Sequence, residues 1–243
     1  MRIIKVSATQ STNSFAREWY QSNRSSLPVC IIAANQTSGR GQRGATWVSK
    51  AGENLTFSVV YPNPELAIQD QFLLSASVGL AILDAMKELN IYNLNLKWPN
   101  DILAANFKIG GILIENILNS GKIDSCIIGI GLNVNQLSFP GLPKASSLKS
   151  LNGRQFELEE VLSVLLQKLN DRLDSLPVTL AEEVLKEYED VLFRKGKVST
   201  FQLKDSSMLT GIIVGITSTG LLKVQVEDNK ILQFDLKELK LLF

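Results

Sequence analysis

The sequence contains no histidine. That absence excludes Ser-His-Asp and Cys-His nucleophile systems, imidazole metal ligands and the commonest general base near neutral pH. Any chemistry must run on Lys, Arg, Asp, Glu, amides, hydroxyls or a bound cofactor. Cysteine is nearly as scarce. Cys30 and Cys126 each sit in an apolar run, Val29-Cys30-Ile31-Ile32 and Ser125-Cys126-Ile127-Ile128, without zinc-site spacing and with no adjacent Lys or Arg to stabilise a thiolate. Both read as core. An excess of charge of one sign is lacking too: 25 Lys and Arg against 24 Asp and Glu leave a net charge of +1. There is no bulk electrostatic footprint for nucleic acid or an anionic membrane, so anion binding must be local. No apolar run approaches the roughly 18 residues of a membrane span. The start, Met1-Arg2-Ile3-Ile4-Lys5-Val6, has no leader-like apolar core or small-residue cleavage site. These absences predict a cytoplasmic protein with no membrane association and no specific DNA recognition.

What is present is an ordinary globular composition, 45% hydrophobic and 20% charged over 243 residues, enough for one large domain and a small appendage. Ile3 to Val6 reads as a strand, and Ser11-Thr12-Asn13-Ser14 supplies N-cap chemistry for a helix with Phe15/Trp19 and Ala16/Tyr20 at i,i+4. Val29 to Ala34 is a buried strand, and Leu55 to Val59 alternates strictly. Ile68 to Leu89 is helical, and Leu94 to Trp98 is a strand ended by Pro99. Ile109 to Leu118 and Ile123 to Val134 flank the hairpin signal Asn119-Ser120-Gly121-Lys122. Leu158 to about Glu189 is helical with a break at Pro177. Four short strands from Lys197 onward, at close spacing, predict a small β-barrel, with the boundary near Arg194-Lys195-Gly196. The fold class is therefore α+β, a mixed, largely antiparallel sheet with flanking helices in a domain over 1–193, followed by a C-terminal β-barrel domain over 194–243.

Four segments exceed what packing asks for. In Ser38-Gly39-Arg40-Gly41-Gln42-Arg43-Gly44, glycines let backbone N–H groups converge on an anion while the arginines add charge; a solvated loop is the plainer account. Lys97-Trp98-Pro99-Asn100-Asp101 leaves a polar pair at a strand end, or is a simple Asn-Asp turn. Lys108 before Gly110-Gly111 opens an apolar strand, where a Lys can meet a carboxylate or phosphate, or snorkel at a sheet edge. In Gly129-Ile130-Gly131-Leu132-Asn133-Val134-Asn135, strand glycines suggest close approach by a ligand, or a bulge.

Taken together, Ser11-Thr12-Asn13, the Gly39–Gly44 loop, Lys97-Trp98-Pro99-Asn100-Asp101, Lys108 with Gly110-Gly111, and Gly131-Leu132-Asn133-Val134-Asn135 closely resemble the biotin protein ligases over most of the chain. The resemblance implies a class II synthetase-like catalytic domain and a cytoplasmic ligase that uses ATP and Mg²⁺. Biotin would become biotinyl-5′-adenylate and then be attached to a lysine of the biotin carboxyl carrier domain of a biotin-dependent carboxylase. It implies that Ser11, Thr12, Asn13 and Gln36 contact biotin's ureido head, with Arg40, Gly41, Gln42, Lys108 and Gly111 completing the biotin site. It assigns Arg40, Arg43, Trp47, Asn100, Lys108 and Asn133 to ATP or the adenylate, Trp47 as the adenine-stacking residue, and it makes Lys108, Arg40 and Asp101 the catalytic set. Asp101 would either help hold Mg²⁺ or accept the acceptor lysine's proton. A homodimer is left open.

The resemblance fits a chain without histidine. A carboxylate is already a nucleophile, so adenylation needs charge neutralisation and positioning rather than a base. A hydroxyl and amide cluster likewise suits a neutral urea ring. Two departures stand out: Gln42 occupies a place where many relatives carry Arg, and the first strand begins at Ile3, so the N-terminal DNA-binding domain of some relatives is not expected. The loop from Ser38 to Gly44 is expected to be mobile until ligand gives it a surface to fold against. The alternative readings are a lipoate or octanoate protein ligase or transferase, whose usual pattern includes a His missing here, and a non-catalytic biotin-binding regulator. Retention of Lys108 and the Arg-Gly loop argues against the regulator.

Overall fold

A computed structural model of the chain describes residues 1–120, 122–176, 179–236 and 238–242; the Arg43 side chain also falls outside the description. The turn at Gly121 and the helix break at Pro177 therefore lie outside the described residues. Seven strands form the main sheet: β1 (Arg2–Thr9), β2 (Val29–Gln36), β3 (Leu55–Pro62), β4 (Leu94–Lys97), β5 (Asp101–Ala104), β6 (Phe107–Asn119) and β7 (Lys122–Leu132). Their order is β1-β2-β3-β7-β6-β5-β4. β1 and β2 run parallel and the other described pairs antiparallel, which is the mixed, largely antiparallel sheet that the pattern predicts. The helices are α1 (Thr12–Asn23), α2 (Gln71–Glu88), a short α3 (Leu148–Asn152), α4 (Leu158–Ser175) and α5 (Ala181–Asp190). No described helix is long and apolar enough to cross a membrane.

The two faces of the sheet are covered differently, and this places the site. One face, through Phe57, Val59, Cys126 and Ile128, joins the core built with α2, α4 and α5. On the other, Ile31, Val60 and Ile127 pack against Ala16 and Tyr20 of α1. All eight residues of β3 are buried, so its alternation does not separate core from solvent. It separates apolar Phe57 and Val59 from Thr56 and Ser58, which share the α1 face with Val60. Across the sheet, Thr56 pairs with Gly131 and Gly131 with Gly111, while Ser58 pairs with Gly129 and Gly129 with Leu113. Small residues in two adjacent rows leave a hollow beside the N-terminus of α1.

The strand from Leu94 ends before Pro99, as expected, and the chain turns over 98–100; Asp101 then opens β5, which the sequence pattern does not reveal and which pairs back on β4 with Lys97 opposite Asp101. One expectation is corrected here. The C-terminal strands do not close into a barrel. β8 (Val198–Leu203), β9 (Met208–Ile216), β10 (Leu222–Gln225), β11 (Ile231–Phe234) and β12 (Leu239–Leu242) form an open antiparallel sheet ordered β11-β10-β9-β8-β12. Closure would require β11 to pair with β12. Instead the chain leaves β11 and returns to β8, so these two four-residue strands stay at opposite edges.

The second sheet is fastened to the first by named contacts. Trp98 Nε1 donates to Gly220 O at 2.9 Å. Glu189 of α5 accepts from Ile216 N at 2.9 Å and from Lys195 Nζ at 2.9 Å. Burial pushes the Glu189 carboxyl up, but the Lys195 ammonium and the Ile216 N–H outweigh it and hold the group below the usual carboxylate range. A depressed folded pKa contributes stability that is present above the ordinary carboxylate range and is lost as pH falls through the depressed value. Glu189→Gln is therefore expected to lower the thermal midpoint near neutral pH and to flatten its decline on acidification below about pH 5. Parallel midpoint-against-pH curves for the two proteins would remove this role.

Candidate active site

The hollow is part of a cavity of about 420 Å³ whose walls come from α1, the end of β2 and the loop after it, β4 to β7 and the second sheet. Its neutral end is a hydrogen-bonded cluster. Thr12 donates to Gln36 Oε1 from its backbone N–H at 2.7 Å and from its hydroxyl at 3.1 Å. The Ser58 hydroxyl is shared between Thr12 Oγ1 at 2.8 Å and Asn13 Oδ1 at 2.6 Å. Asn13 Nδ2 donates to Leu113 O at 3.2 Å and to Glu115 Oε2 at 2.8 Å. Asn13 can occupy this place because Gly129 has no side chain: a Cβ there would fall 2.2 Å from Asn13 Oδ1. Ser11 stands at the N-cap position of α1 without making a side-chain cap, so the cap expected from sequence is not formed. Among the described residues, its hydroxyl and Gln36 Nε2 have no hydrogen-bond partner, and both residues line the cavity.

The other end is charged. Asp101 sits between two ammonium groups, with Lys108 Nζ 2.5 Å from Oδ1 and Lys97 Nζ 3.0 Å from Oδ2. Burial alone would raise the Asp101 pKa, but Lys108 and Lys97 outweigh it and hold the carboxyl below the usual range. The trio keeps a net positive charge, so the cavity is locally electropositive in a nearly neutral chain. Asn100 braces the turn on β6, donating to Ile112 O at 2.7 Å while its own carbonyl accepts from Ile112 N at 3.0 Å.

The Arg-Gly loop folds back over the cavity as a small hairpin. Gly41 N donates to Ala45 O at 2.7 Å and Trp47 N to Gly39 O at 2.9 Å, with a bridge between Arg40 and Thr46 and a 3₁₀ turn over Gln42–Gly44. Local pairing thus gives the loop a folded form that composition alone does not suggest. Trp47 anchors it. A Cβ on Gly131 would lie 2.4 Å from Trp47 Cε2, so the indole rests on the glycine strip, with Lys108 Nζ 5.8 Å from a ring centroid. Trp47 Nε1 is buried without a partner among the described residues. Arg40 Nη2 reaches Glu115 Oε2 at 3.1 Å.

The structure therefore brings Ser11, Thr12, Asn13, Gln36, Arg40, Gly41, Gln42, Trp47, Asn100, Asp101, Lys108 and Gly111 to one cavity. Asn133 is not among its lining residues; it is buried, and its amide donates to Ser146 O at 3.0 Å, holding the segment after β7. The side chain of Arg43 lies outside the described residues. Two residues went unread in the sequence. Ser58 is the polar residue in phase with Thr56 on an apolar strand, and Glu115 is in phase with Gly111 and Leu113 on β6; both signals were available in the period-2 pattern. Cys30 and Cys126 are buried, and burial pushes both thiols up to about 12, so they are inert core as expected.

The donor set does not fit a resident divalent cation. Both Asp101 oxygens are taken by ammonium groups, and no group of three or more His, Cys, Asp or Glu side chains able to hold a metal occurs among the described residues. A metal ion would enter here with a substrate's phosphates.

Residues 6–133 match the model of the Biotin/lipoate A/B protein ligase family. The chain is 33% identical over 171 residues to a protein of Mycobacterium tuberculosis named biotin–[acetyl-CoA-carboxylase] ligase, covering 69% of this chain and 62% of that one. It is 32% identical over 168 residues to the bifunctional ligase/repressor BirA of Bacillus subtilis, covering 68% of this chain and 51% of the relative. The chain thus spans about half to three fifths of these curated relatives. The solved biotin protein ligase of Aquifex aeolicus in complex with biotin and ATP superposes with a TM-score of 0.83 at 27% identity, over 99% of this chain and 98% of that one.

Proposed function

The chain belongs to the biotin/lipoate A/B protein ligase family, and we propose that it is a biotin protein ligase that activates biotin with ATP and transfers it to a lysine of a carrier protein. The observation that carries this reading is the division of one cavity into a neutral end and a cationic end under a single Arg-Gly lid. The neutral end offers unpaired Ser11 and Gln36 donors beside an ordered Thr12, Asn13 and Ser58 cluster, which matches a urea ring having a carbonyl to accept and N–H groups to give. An octanoyl or lipoyl tail would lay apolar atoms against that cluster and leave its polar groups unsatisfied. This favours biotin within the family.

Activation is attack by a biotin carboxylate oxygen on the α-phosphorus of ATP. The O–P bond forms, the bond from the α-phosphorus to the bridging oxygen breaks, and pyrophosphate leaves. No proton need be removed, which suits a site without histidine. Lys108, with Lys97 behind it, neutralises the charge that gathers where carboxylate and phosphate meet, and the Asp101 carboxylate holds both ammonium groups in place. Held below the usual carboxylate range, Asp101 is a weak proton acceptor, so we assign it positioning rather than base catalysis. ATP enters as its Mg²⁺ complex, a substrate. In the second step the acceptor amine, as its free base, attacks the acyl carbon; a C–N bond forms, the bond from the acyl carbon to the phosphate oxygen breaks, AMP leaves, and the amine's surplus proton passes to solvent. The names of the relatives point to a biotin-dependent carboxylase as the source of that amine.

Incubation of the pure protein with biotin, ATP and Mg²⁺ is expected to yield biotinyl-adenylate and pyrophosphate, and octanoate in place of biotin to yield neither. Absence of the biotin product would refute the reading, and equal turnover with octanoate would move the protein to the lipoate branch.

A further inference from the structure

Glu115 closes the segment that begins at Asn106 but has no role in the sequence reading, and it stands outside the charged end of the cavity; yet it touches both halves of the machinery. Its Oε2 accepts from Asn13 Nδ2 at 2.8 Å and from Arg40 Nη2 at 3.1 Å. Asn13 is 3% exposed and fixed by Ser58 and by Leu113 O. Arg40 sits at the base of the lid hairpin, opposite Thr46. Among the described residues, Arg40–Glu115 is the one ion pair that joins the lid to the sheet. A single oxygen thus receives one donor from the neutral end and one from the lid.

We propose that Glu115 is a positioning residue that couples the neutral end of the site to closure of the lid. Asn13 fixes the carboxylate, the carboxylate holds Arg40 over the cavity, and anything that reorients Asn13 changes the grip on Arg40. The pairing also has an electrostatic reason. A bare carboxylate beside a cavity meant for an anionic ligand would oppose binding; paired, it holds an arginine there. Only Nη2 of Arg40 is given to Glu115, so the other guanidinium donors are left for a ligand phosphate while Glu115 keeps the arginine in place, and loss of either acceptor loosens the lid. This inference rests on the ligase reading for the identity of the ligand, though not for the coupling itself.

The test compares wild type, Glu115→Gln, Arg40→Gln and the double variant. Glutamine keeps an oxygen for Asn13 while removing the charge that holds Arg40. Two quantities are read: hydrogen exchange of the amides over 39–47 in the ligand-free protein, and dissociation of biotinyl-adenylate after single-turnover formation. For a partly exposed pair, Glu115→Gln is expected to speed both by about three- to tenfold, with biotin affinity changed by less than about threefold. The double variant should exchange no faster than Arg40→Gln alone, because both changes break one interaction. Additive effects, or exchange unchanged in Glu115→Gln, would overturn the coupling. Arg40→Gln breaks the pair from the loop and leaves β6 untouched, so the exchange test survives if Glu115→Gln folds poorly. Faster exchange in a protein whose wild type makes no adenylate would leave the coupling standing and overturn the ligase reading instead.

Discussion

Lys108→Ala is expected to slow biotinyl-adenylate formation on the order of 10²–10³-fold, roughly 2.7–4 kcal/mol of transition-state stabilisation, while biotin still binds. The split follows from where the ammonium sits. Lys108 Nζ lies against Asp101 at 2.5 Å and beside the Trp47 ring, whereas the neutral cluster is built by Thr12, Asn13, Gln36 and Ser58 with no contribution from it. Removing the ammonium therefore removes charge where carboxylate and α-phosphate meet and leaves the urea contacts intact. It also leaves Asp101 with Lys97 alone, so the net positive charge of the trio disappears. Lys108→Arg should be impaired as well. A planar guanidinium is drawn into a bidentate pair with Asp101 and does not replace the compact point charge of an ammonium. Pyrophosphate release under single-turnover conditions, with biotin calorimetry on the same samples, measures both halves. A variant with wild-type adenylation would end the assignment, and one that loses biotin affinity to the same degree would show that Lys108 serves binding rather than the transition state.

Much of the fold was legible because its signals are local. The α1, α2 and α4 helices and the β6–β7 pair follow periodicities that a window of a dozen residues contains. The five-residue run from Lys97 to Asp101 was recognisable as a segment beyond packing needs, and the strand before it ends ahead of Pro99 as read. What the sequence did not reveal is that after the turn Asp101 begins a new strand opposite Lys97. Pairing across that turn is what brings Asp101 within reach of both lysines. The barrel failed for a related reason. Strand spacing reports neither how the strands pair nor whether the last returns to the first; the four strands read end before Leu239–Leu242, and this fifth strand, β12, pairs with β8.

The site divides along the same line. Residues carried by contiguous motifs could be found by reading along the chain. Ser58 and Glu115 show in the period-2 pattern as polar residues on apolar strands, but what they meet is set by registration across β3, β7 and β6, which places Ser58 against Gly129 and Gly129 against Leu113. Asn133 shows the converse: a motif residue whose amide is committed to Ser146 O in the segment after β7. For the lid, glycine composition led to an expectation of mobility without ligand and gave no hint of the form that the loop takes. Its folded form depends on pairing between Gly39 and Trp47 and on a tryptophan resting over Gly131, a contact some eighty residues away in sequence.

Gly129 offers the sharpest test of the neutral end, and Gly129→Ala is expected to weaken biotin binding by about 10²-fold with little change in overall fold. The added methyl group would sit 2.2 Å from Asn13 Oδ1 and 2.9 Å from Asn13 Cγ. Such a clash is cheap only when the neighbour can swing aside, and Asn13 cannot. Its oxygen accepts from Ser58, and its amide nitrogen donates to Leu113 O and Glu115. Moving it leaves Ser58, itself 0% exposed, with a broken network, and takes the Asn13 amide from the half-buried Leu113 carbonyl. One or two buried polar groups left unsatisfied cost roughly 1–3 kcal/mol each, which spans the expected loss of affinity. The strand itself should tolerate the change, because alanine is compatible with extended backbone and Gly129 has no positive φ to preserve. Asn13→Ala in the Gly129→Ala background supplies the control: with the obstructing amide gone, the methyl group fits, and the double variant should bind biotin no worse than Asn13→Ala alone. Biotin affinity by calorimetry and thermal midpoints for the three variants decide the matter. Full affinity in Gly129→Ala would mean that Asn13 is free to move and that the cluster does not form the urea site; a double variant weaker than both singles would place the damage in the sheet rather than in the cluster.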